Sequence, residues 1–380
     1  MILQNFKPIN FIVKSLLSSK KSWLTFVVWL WFIFPAQAIE LKVAIKKEVN
    51  TLKIGSSTAA IVKDSSGKKL GTLKPMSALA ATSNGDEIKI ANRVRGGELI
   101  VEPQDNGYVW IGDRWYRGTT QLILQDSGIT AINHVNIEDY LYSVVGAEAV
   151  ASWPLEALKA QAVAARSYAL YKRNVESNGI YDVDTTVGTQ VYKGLDSEFT
   201  TTHEAVNSTL GQVMTYNNEV ILAAFHSSSG GYTENVEDVW SSPLPYLRSV
   251  VDYDHKSPVF EWQKVIPVSK IRTLVAGIGK IRGIQPAETT PRGRVITMTV
   301  TGDRGSTIVT GKDMRKVLDL RSTLFRVSTD GNNLHVKGRG FGHGLGLSQW
   351  GAYYLAQQGV NYHQILAHYY QSANLTKLEL

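Results

Sequence analysis

Residues 136–170 read NIEDYLYSVVGAEAVASWPLEALKAQAVAARSYAL, and the period of the apolar positions changes within them. Upstream the chain is a succession of short apolar runs separated by turn clusters; here the spacing becomes helical. Asn136 with Asp139 three positions on is a helix start signal, and Gly146 reads as the stop. A second helix begins near Pro154, a residue suited to the first helical position, and continues through LEALKAQAVAARSYALYKR. Its alanines favour helix and permit close packing.

From Glu40 to about Asn136 the runs LKVAI, TAAIV, ELIVE, YVWIG and QLILQ are punctuated by DSSGKK, SNGD, RGG and DNG, a strand-and-turn pattern. Ile129, Ala131, Val135 and Ile137 alternate with polar residues, which predicts a half-buried strand. Residues 183–250 read as short strands and loops. The stretch 260–336 carries two expected helices, VSKIRTLVAGIG and GKDMRKVLDL, and a strand pair, RVITMTVTG and STIVTG, and so reads as an inserted α/β lobe. A glycine-rich loop, KGRGFGHGLGLSQWGA, then leads into helices ending at ILAHYY. The expected fold class is α+β: a mixed β-rich core, an Ala-rich helix and a second, inserted α/β lobe. The expected division is 1–38, a β-rich part over 39–136, and the lobe over 260–336.

Composition narrows the partners. The 380 residues are 43% hydrophobic and 19% charged, ordinary for a globular protein, and the formal charge is +7. Lys7, Lys14, Lys20 and Lys21 lie in the first 38 residues, which contain no acid; without them 36 basic residues face 33 acidic ones, a net charge of +3. Basic runs are missing after that segment, so nucleic acid is not expected as a partner. Lys20-Lys21, the twelve-residue apolar run WLTFVVWLWFIF and the A-x-A site at Ala36–Ala38 form the pattern of an export signal peptide. The run is shorter than the roughly 20 residues of a membrane span, with an uncleaved N-terminal anchor as the alternative. The expected location is the periplasm or cell envelope. The absence of cysteine excludes disulfides and thiolate metal sites.

Glu148 and Glu156, eight positions apart, fall in opposite helix fields. Glu156 is placed in the first turn of a helix, where free N–H groups and the macrodipole favour the carboxylate; it reads as a cap. Glu148 is placed just past a helix C-terminus, among Ala147, Ala149, Val150, Ala151 and Trp153. The dipole and the poor solvation there both raise a carboxyl pKa. A glutamic acid that keeps its proton near neutral pH suits general acid catalysis of glycosidic cleavage; an ordinary loop glutamate is the competing reading.

The segments EDYLYSVVGAEAVASWPLEALKAQAVAARSYAL, FHSSSGGYTENVEDVW with PYLRSV, GKDMRKVLDLRSTLF and GRGFGHGLGLSQWGAYYLAQQGVNYHQILAHYY resemble, in order over roughly residues 100–375, the SpoIID/LytB family. That family comprises stage II sporulation protein D and related amidase-enhancer proteins. The resemblance implies an exported lytic transglycosylase. Its substrate would be peptidoglycan glycan strands stripped of stem peptides, cut between N-acetylmuramic acid and N-acetylglucosamine to leave a 1,6-anhydromuramoyl end. It places the catalytic glutamate on Glu148. One carboxyl then serves both proton transfers, without the second carboxylate of paired-carboxylate glycosidases. The chain departs from the family at Ala149, where Met is usual. It also lacks the cysteines with which some clostridial members bind zinc near the GG stretch, leaving His226 as the only candidate ligand there; no metal or other cofactor is expected.

Lys159 and Arg166, seven apart on the Ala-rich helix, share a face. Both are candidate substrate-binding residues, with solvated or acid-paired roles as the competing reading. His343 in the glycine-rich loop is a candidate to hydrogen-bond a sugar or Glu148, and Gln349 and Trp350 open the next helix, where a Trp can stack on a sugar or pack in the core. The glycines fit neither a P-loop nor a dinucleotide site and suit close backbone approach. His226, Ser227 and Ser228 lack the G-x-S-x-G setting of a serine hydrolase, and the residues leave open whether Tyr192 and Glu234 line the cleft. The expected partner is the glycan strand. A second reading is a non-catalytic wall-binding protein that stimulates a cell-wall amidase; a metal-dependent hydrolase is disfavoured by the missing HExxH.

Overall fold

Alternating apolar side chains need a second layer to bury them, and residues 40–136 supply nearly all of both layers. The computed structural model describes residues 39–378 apart from 92, 93, 127, 176, 178, 187 and 241; the expected export segment lies outside these residues. One sheet runs, edge to edge, Val183–Asp184, Glu40–Val49, Gly128–Asn136, Thr119–Gln125, Glu98–Pro103, Ala60–Lys63 and Lys69–Leu73. The other runs Arg114–Tyr116, Val109–Ile111, Thr51–Ser56, Leu79–Ser83, Ile88–Ile90 and Val94–Gly96. Pairing is antiparallel except where Val183–Asp184 lies parallel to Glu40–Val49. Leu41, Val43, Ile54, Val62, Leu99, Val101, Ile111 and Leu122 are buried.

The strand Gly128–Asn136 departs from the expected half-buried alternation: Gly128 through Asn133 are buried on both faces. It sits between two neighbours within the sheet, and its polar Asn133 is satisfied by donating Nδ2 to the carbonyls of Arg117 and Thr119 at 2.8 and 2.9 Å.

Asn136 turns this strand into helix α1 (Ile137–Glu148), accepting the Glu138 amide at 2.8 Å. Gly146 does not stop α1. It lies inside the helix, where a Cβ would stand 2.1 Å from the Ser197 carbonyl oxygen, so the glycine serves close packing. The helix ends two residues later, with Ala149 extended. Helix α2 (Leu155–Val175) is the centre of the second half. Residues Ala157 through Leu170 are buried almost without a break, because α2 packs against α1, α3 (Thr200–Ser208), α6 (Gln349–Gln357), α7 (Tyr362–Tyr369) and the strand Gln212–Tyr216. Helix α3, with the short α4 (Val236–Val239), lies in a region expected to hold only strands and loops. The threonines of TTTHEAVNS hide its helical character, yet Thr202 Oγ1 accepts the Phe199 amide at 3.1 Å and starts the helix locally.

The lobe holds two three-stranded sheets, Glu261–Pro267 with Asn333–Arg339 and Phe325–Thr329, and Ile281–Thr289 with Val295–Gly302 and Gly305–Thr310. They share a core with α5 (Gly311–Val317) through Met298, Val300, Met314 and Leu334. The helix expected over 268–279 is absent. A single 3-10 turn, Val268–Ile271, is followed by turns, although Val268, Ile271, Val275 and Ile278 are buried with helical spacing. Gly277 and Gly279, at φ +85° and +76°, keep the last turn of the expected helix from forming; nothing in the structure explains its loss over 272–276.

Candidate active site

The C-terminal end of α1, the segment 188–191, the strand Phe225–His226, the glycine-rich loop and α5 of the lobe border a cleft of about 1160 Å³. Glu148 lies in its wall, half-buried, as the last residue of α1. Burial raises its carboxyl pKa above the ordinary value, against the opposing pull of the Val191 amide, the Gln349 side chain and the Lys193 charge. Val191 N–H donates to Oε1 at 2.7 Å. The helix dipole adds to the upward push, since the carboxyl sits at the negative end of α1.

The segment that carries Val191 is fastened on three sides. Gln190 Nε2 donates to the Ala165 carbonyl at 3.2 Å, Tyr192 hydroxyl to Asn133 Oδ1 at 2.9 Å, and the Lys193 amide to Ser143 Oγ at 3.2 Å. The Glu148 oxygen is thereby held by a backbone donor tied to α1, α2 and the strand Gly128–Asn136. Tyr192 is a core residue that does this fastening.

Gln349, at the start of α6, lines the cleft with Glu148 and is buried. Its Nε2 donates to Gln161 Oε1 at 3.3 Å, and its amide lies near enough to the Glu148 carboxyl to pull that pKa down. Ser348 caps the helix by accepting the Gly351 amide at 3.2 Å, which fixes where Gln349 points.

His343 also lines the cleft, but both ring nitrogens are engaged by backbone. Nδ1 accepts the Leu345 amide at 3.0 Å, so Nε2 carries the proton and donates to the Phe225 carbonyl at 2.9 Å. Burial, with the nearby Arg294 charge, lowers its pKa to about 4. The expectation that His343 hydrogen-bonds a sugar or Glu148 is therefore corrected: a neutral imidazole stitches the glycine-rich loop to the Phe225–His226 strand. At Gly346, φ +65°, a Cβ would meet the Ala224 carbonyl oxygen at 2.1 Å, so the same loop needs a glycine there. His226 bonds the Leu345 carbonyl through Nδ1 at 3.0 Å, and its buried Nε2 has no partner. Among the described residues no group of three or more His, Cys, Asp or Glu side chains is arranged to hold a metal ion.

The remaining candidates do not line the cleft. Arg166 is fully buried and bonds Glu138 through both Nε and Nη2, with Nη1 on the Gln212 carbonyl at 3.0 Å. It ties α2 to the start of α1 and has no donor directed at a ligand. Lys159 pairs with Glu156 at 2.8 Å and lies over the Tyr362 ring. Both expected substrate-binding roles are corrected on these grounds. Trp350 packs against Trp153 and Tyr353, with centroids 4.8 and 5.3 Å away, beside the cleft and outside its wall. For Glu156, partial burial pushes the pKa up, but Lys159 and the Tyr362 amide, at 2.9 Å from Oε2, hold it below the ordinary value. Glu234 is buried against Arg294 rather than lining the cleft. The residue-by-residue reading missed Val191, which acts through its backbone, and Gln161, which stands behind Gln349; side-chain type gives no signal for either.

Residues 125–216, which include Glu148 and Val191, match the family model described as stage II sporulation protein (SpoIID). Residues 252–346 match a domain of unknown function, DUF8618. Stage II sporulation protein D of Bacillus subtilis (strain 168) is 35% identical over 274 residues, covering 66% of this chain and 77% of that protein. Its Bacillus amyloliquefaciens counterpart is 34% identical over 271 residues, covering 66% and 76%. The amidase enhancer of Bacillus subtilis (strain 168) is 30% identical over 291 residues, 62% of this chain but only 40% of that longer protein. With the helix pair that carries Glu148 inside the matched region, and similarity extending across most of both chains, this protein belongs to the stage II sporulation protein D family.

Proposed function

We propose that the protein is an exported lytic transglycosylase that cleaves N-acetylmuramic acid–N-acetylglucosamine bonds in peptide-stripped peptidoglycan strands. The observation that carries this reading is Glu148: a carboxyl with raised pKa in the wall of a cleft of about 1160 Å³, oriented by a backbone amide. With Oε1 accepting from Val191, the proton resides on Oε2 and is given to the glycosidic oxygen as the bond to C1 breaks. The resulting carboxylate, now stabilised by the Val191 and Gln349 donors, takes the proton of the muramoyl C6 hydroxyl as O6 attacks C1. The carboxyl ends as it began, and the product carries a 1,6-anhydro ring. Poor solvation favours the acid before transfer, and the two donors limit the cost of the anion after it.

The relative named amidase enhancer supports a second reading, in which the same cleft holds glycan without cutting it while a cell-wall amidase acts beside it. Digestion of purified, peptide-stripped strands separates the two. The enzyme reading expects anhydromuramoyl ends by mass spectrometry; binding without such ends would replace it with the enhancer reading.

A further inference from the structure

Helix α5 of the lobe has two distinct faces. Met314, with Leu318 just beyond the helix, is buried in the lobe core. Lys312, Arg315 and Lys316, spaced i, i+3 and i+4, form a stripe on the other side, and with Asp319, just past the helix, they line the cleft that contains Glu148. The stripe is held in place by Thr310, whose Oγ1 accepts the Asp313 amide at 3.0 Å, and by Arg315, whose Nε donates to the Leu320 carbonyl at 3.3 Å.

Its charges do not cancel within the protein. Asp319 is occupied by Lys264, with Nζ 2.9 Å from Oδ2. Asp238, also in the cleft wall, accepts from the Asn235 side-chain amide at 3.1 Å. The other cation of the wall, Arg294, faces Glu234 at 3.4 Å. Among the described residues Lys312 and Lys316 have no ion-pair partner, and both are exposed to the cleft. Cations gathered on one wall of a concave site focus a positive potential where a ligand would lie.

We propose that Lys312 and Lys316 read a carboxylate of the glycan, the free lactyl carboxylate of a muramoyl residue that has lost its stem peptide. This rests on the glycan-cleaving reading above and assigns its substrate preference to the lobe. A stem peptide converts that carboxylate into an uncharged amide and adds bulk at the same place, so the stripe favours the stripped strand twice over. Two lysines on flexible stems suit such recognition, because each supplies a point charge and three donors without fixing one sugar geometry.

The test compares peptide-stripped strands with the same strands after their carboxylates are converted to neutral methyl amides. Binding is measured on Glu148→Gln protein and cleavage on the otherwise unaltered enzyme. Wild-type lysines should prefer the native strand by roughly tenfold or more, as expected for charge-assisted hydrogen bonds, and the preference should shrink with added salt. The Lys312→Gln/Lys316→Gln variant should bind both strands at the amidated level, and Lys312→Arg/Lys316→Arg should keep most of the preference. A Gln variant that retains the wild-type ratio overturns the inference. Wild-type protein that binds and cleaves both strands alike overturns it while leaving the transglycosylase reading intact. Failure to bind or cleave either strand overturns both.

Discussion

Val191 donates its backbone N–H to Glu148 Oε1 at 2.7 Å across 43 residues of chain. A backbone donor survives every substitution of its own side chain except proline, and this one is held by neighbours bonded to α1, α2 and the strand Gly128–Asn136. The carboxyl is thus fixed in position yet kept short of the solvation that would ionise it readily.

The first prediction concerns pH. Glu148 must start protonated, and its pKa is raised, chiefly by burial. The rate should hold below that pKa and fall as pH rises through it, giving an alkaline limb above the ordinary glutamate value of about 4.3. Gln349 stabilises the anion, so Gln349→Leu should move the limb to higher pH in initial-rate profiles. A limb displaced to lower pH would contradict the assignment.

Arg166 should matter to stability rather than to recognition. Removing the guanidinium leaves Glu138 as an uncompensated buried charge, which costs about 3–5 kcal/mol. Denaturant unfolding of Arg166→Ala should show a loss of that size. Unchanged unfolding with weakened glycan binding would return Arg166 to the cleft.

The division between what the residues disclosed and what they concealed follows physical lines. The strand runs before Asn136 and the α1–α2 pair were legible because burial, capping and period agree there. Helix α3 was hidden by its threonines, and the helix expected over 268–279 stops after one 3-10 turn, with Gly277 and Gly279 barring its last turn, despite apolar spacing that does reach the core. At the site, the raised pKa of Glu148 was legible from its helix-end position and apolar neighbours, whereas its choice over an ordinary loop glutamate came from the family resemblance. Arg166 and Lys159 looked equally suited to a ligand, but their partners, Glu138 and Glu156, are set by tertiary packing and by a turn of helix. His343 shows the same limit: its sequence setting suggests a ligand, and only the two backbone contacts show that both nitrogens are taken.

Activity should not depend on a metal. The mechanism uses one carboxyl and the sugar's own hydroxyl, and the chain has no cysteine to provide thiolates. Glycan cleavage should survive EDTA treatment; loss on chelation with rescue by Zn²⁺ would refute this.

Export can be read directly at the N-terminus. The Lys20–Ala38 pattern expects mature protein from the envelope fraction to begin at Ile39. An intact Met1 on membrane-bound protein would show an anchor instead.

The central claim is that Glu148, and not Glu156, performs the proton transfers, and paired amide variants assayed on peptide-stripped strands test it most directly. Glu148→Gln keeps size and polarity but cannot give a proton, so release of anhydromuramoyl ends should fall by at least ~100-fold while strand binding persists. Glu156→Gln weakens the contacts to Lys159 and Tyr362 at the start of α2, costing about 1 kcal/mol of stability and leaving most turnover intact. Wild-type rates from Glu148→Gln would contradict the account.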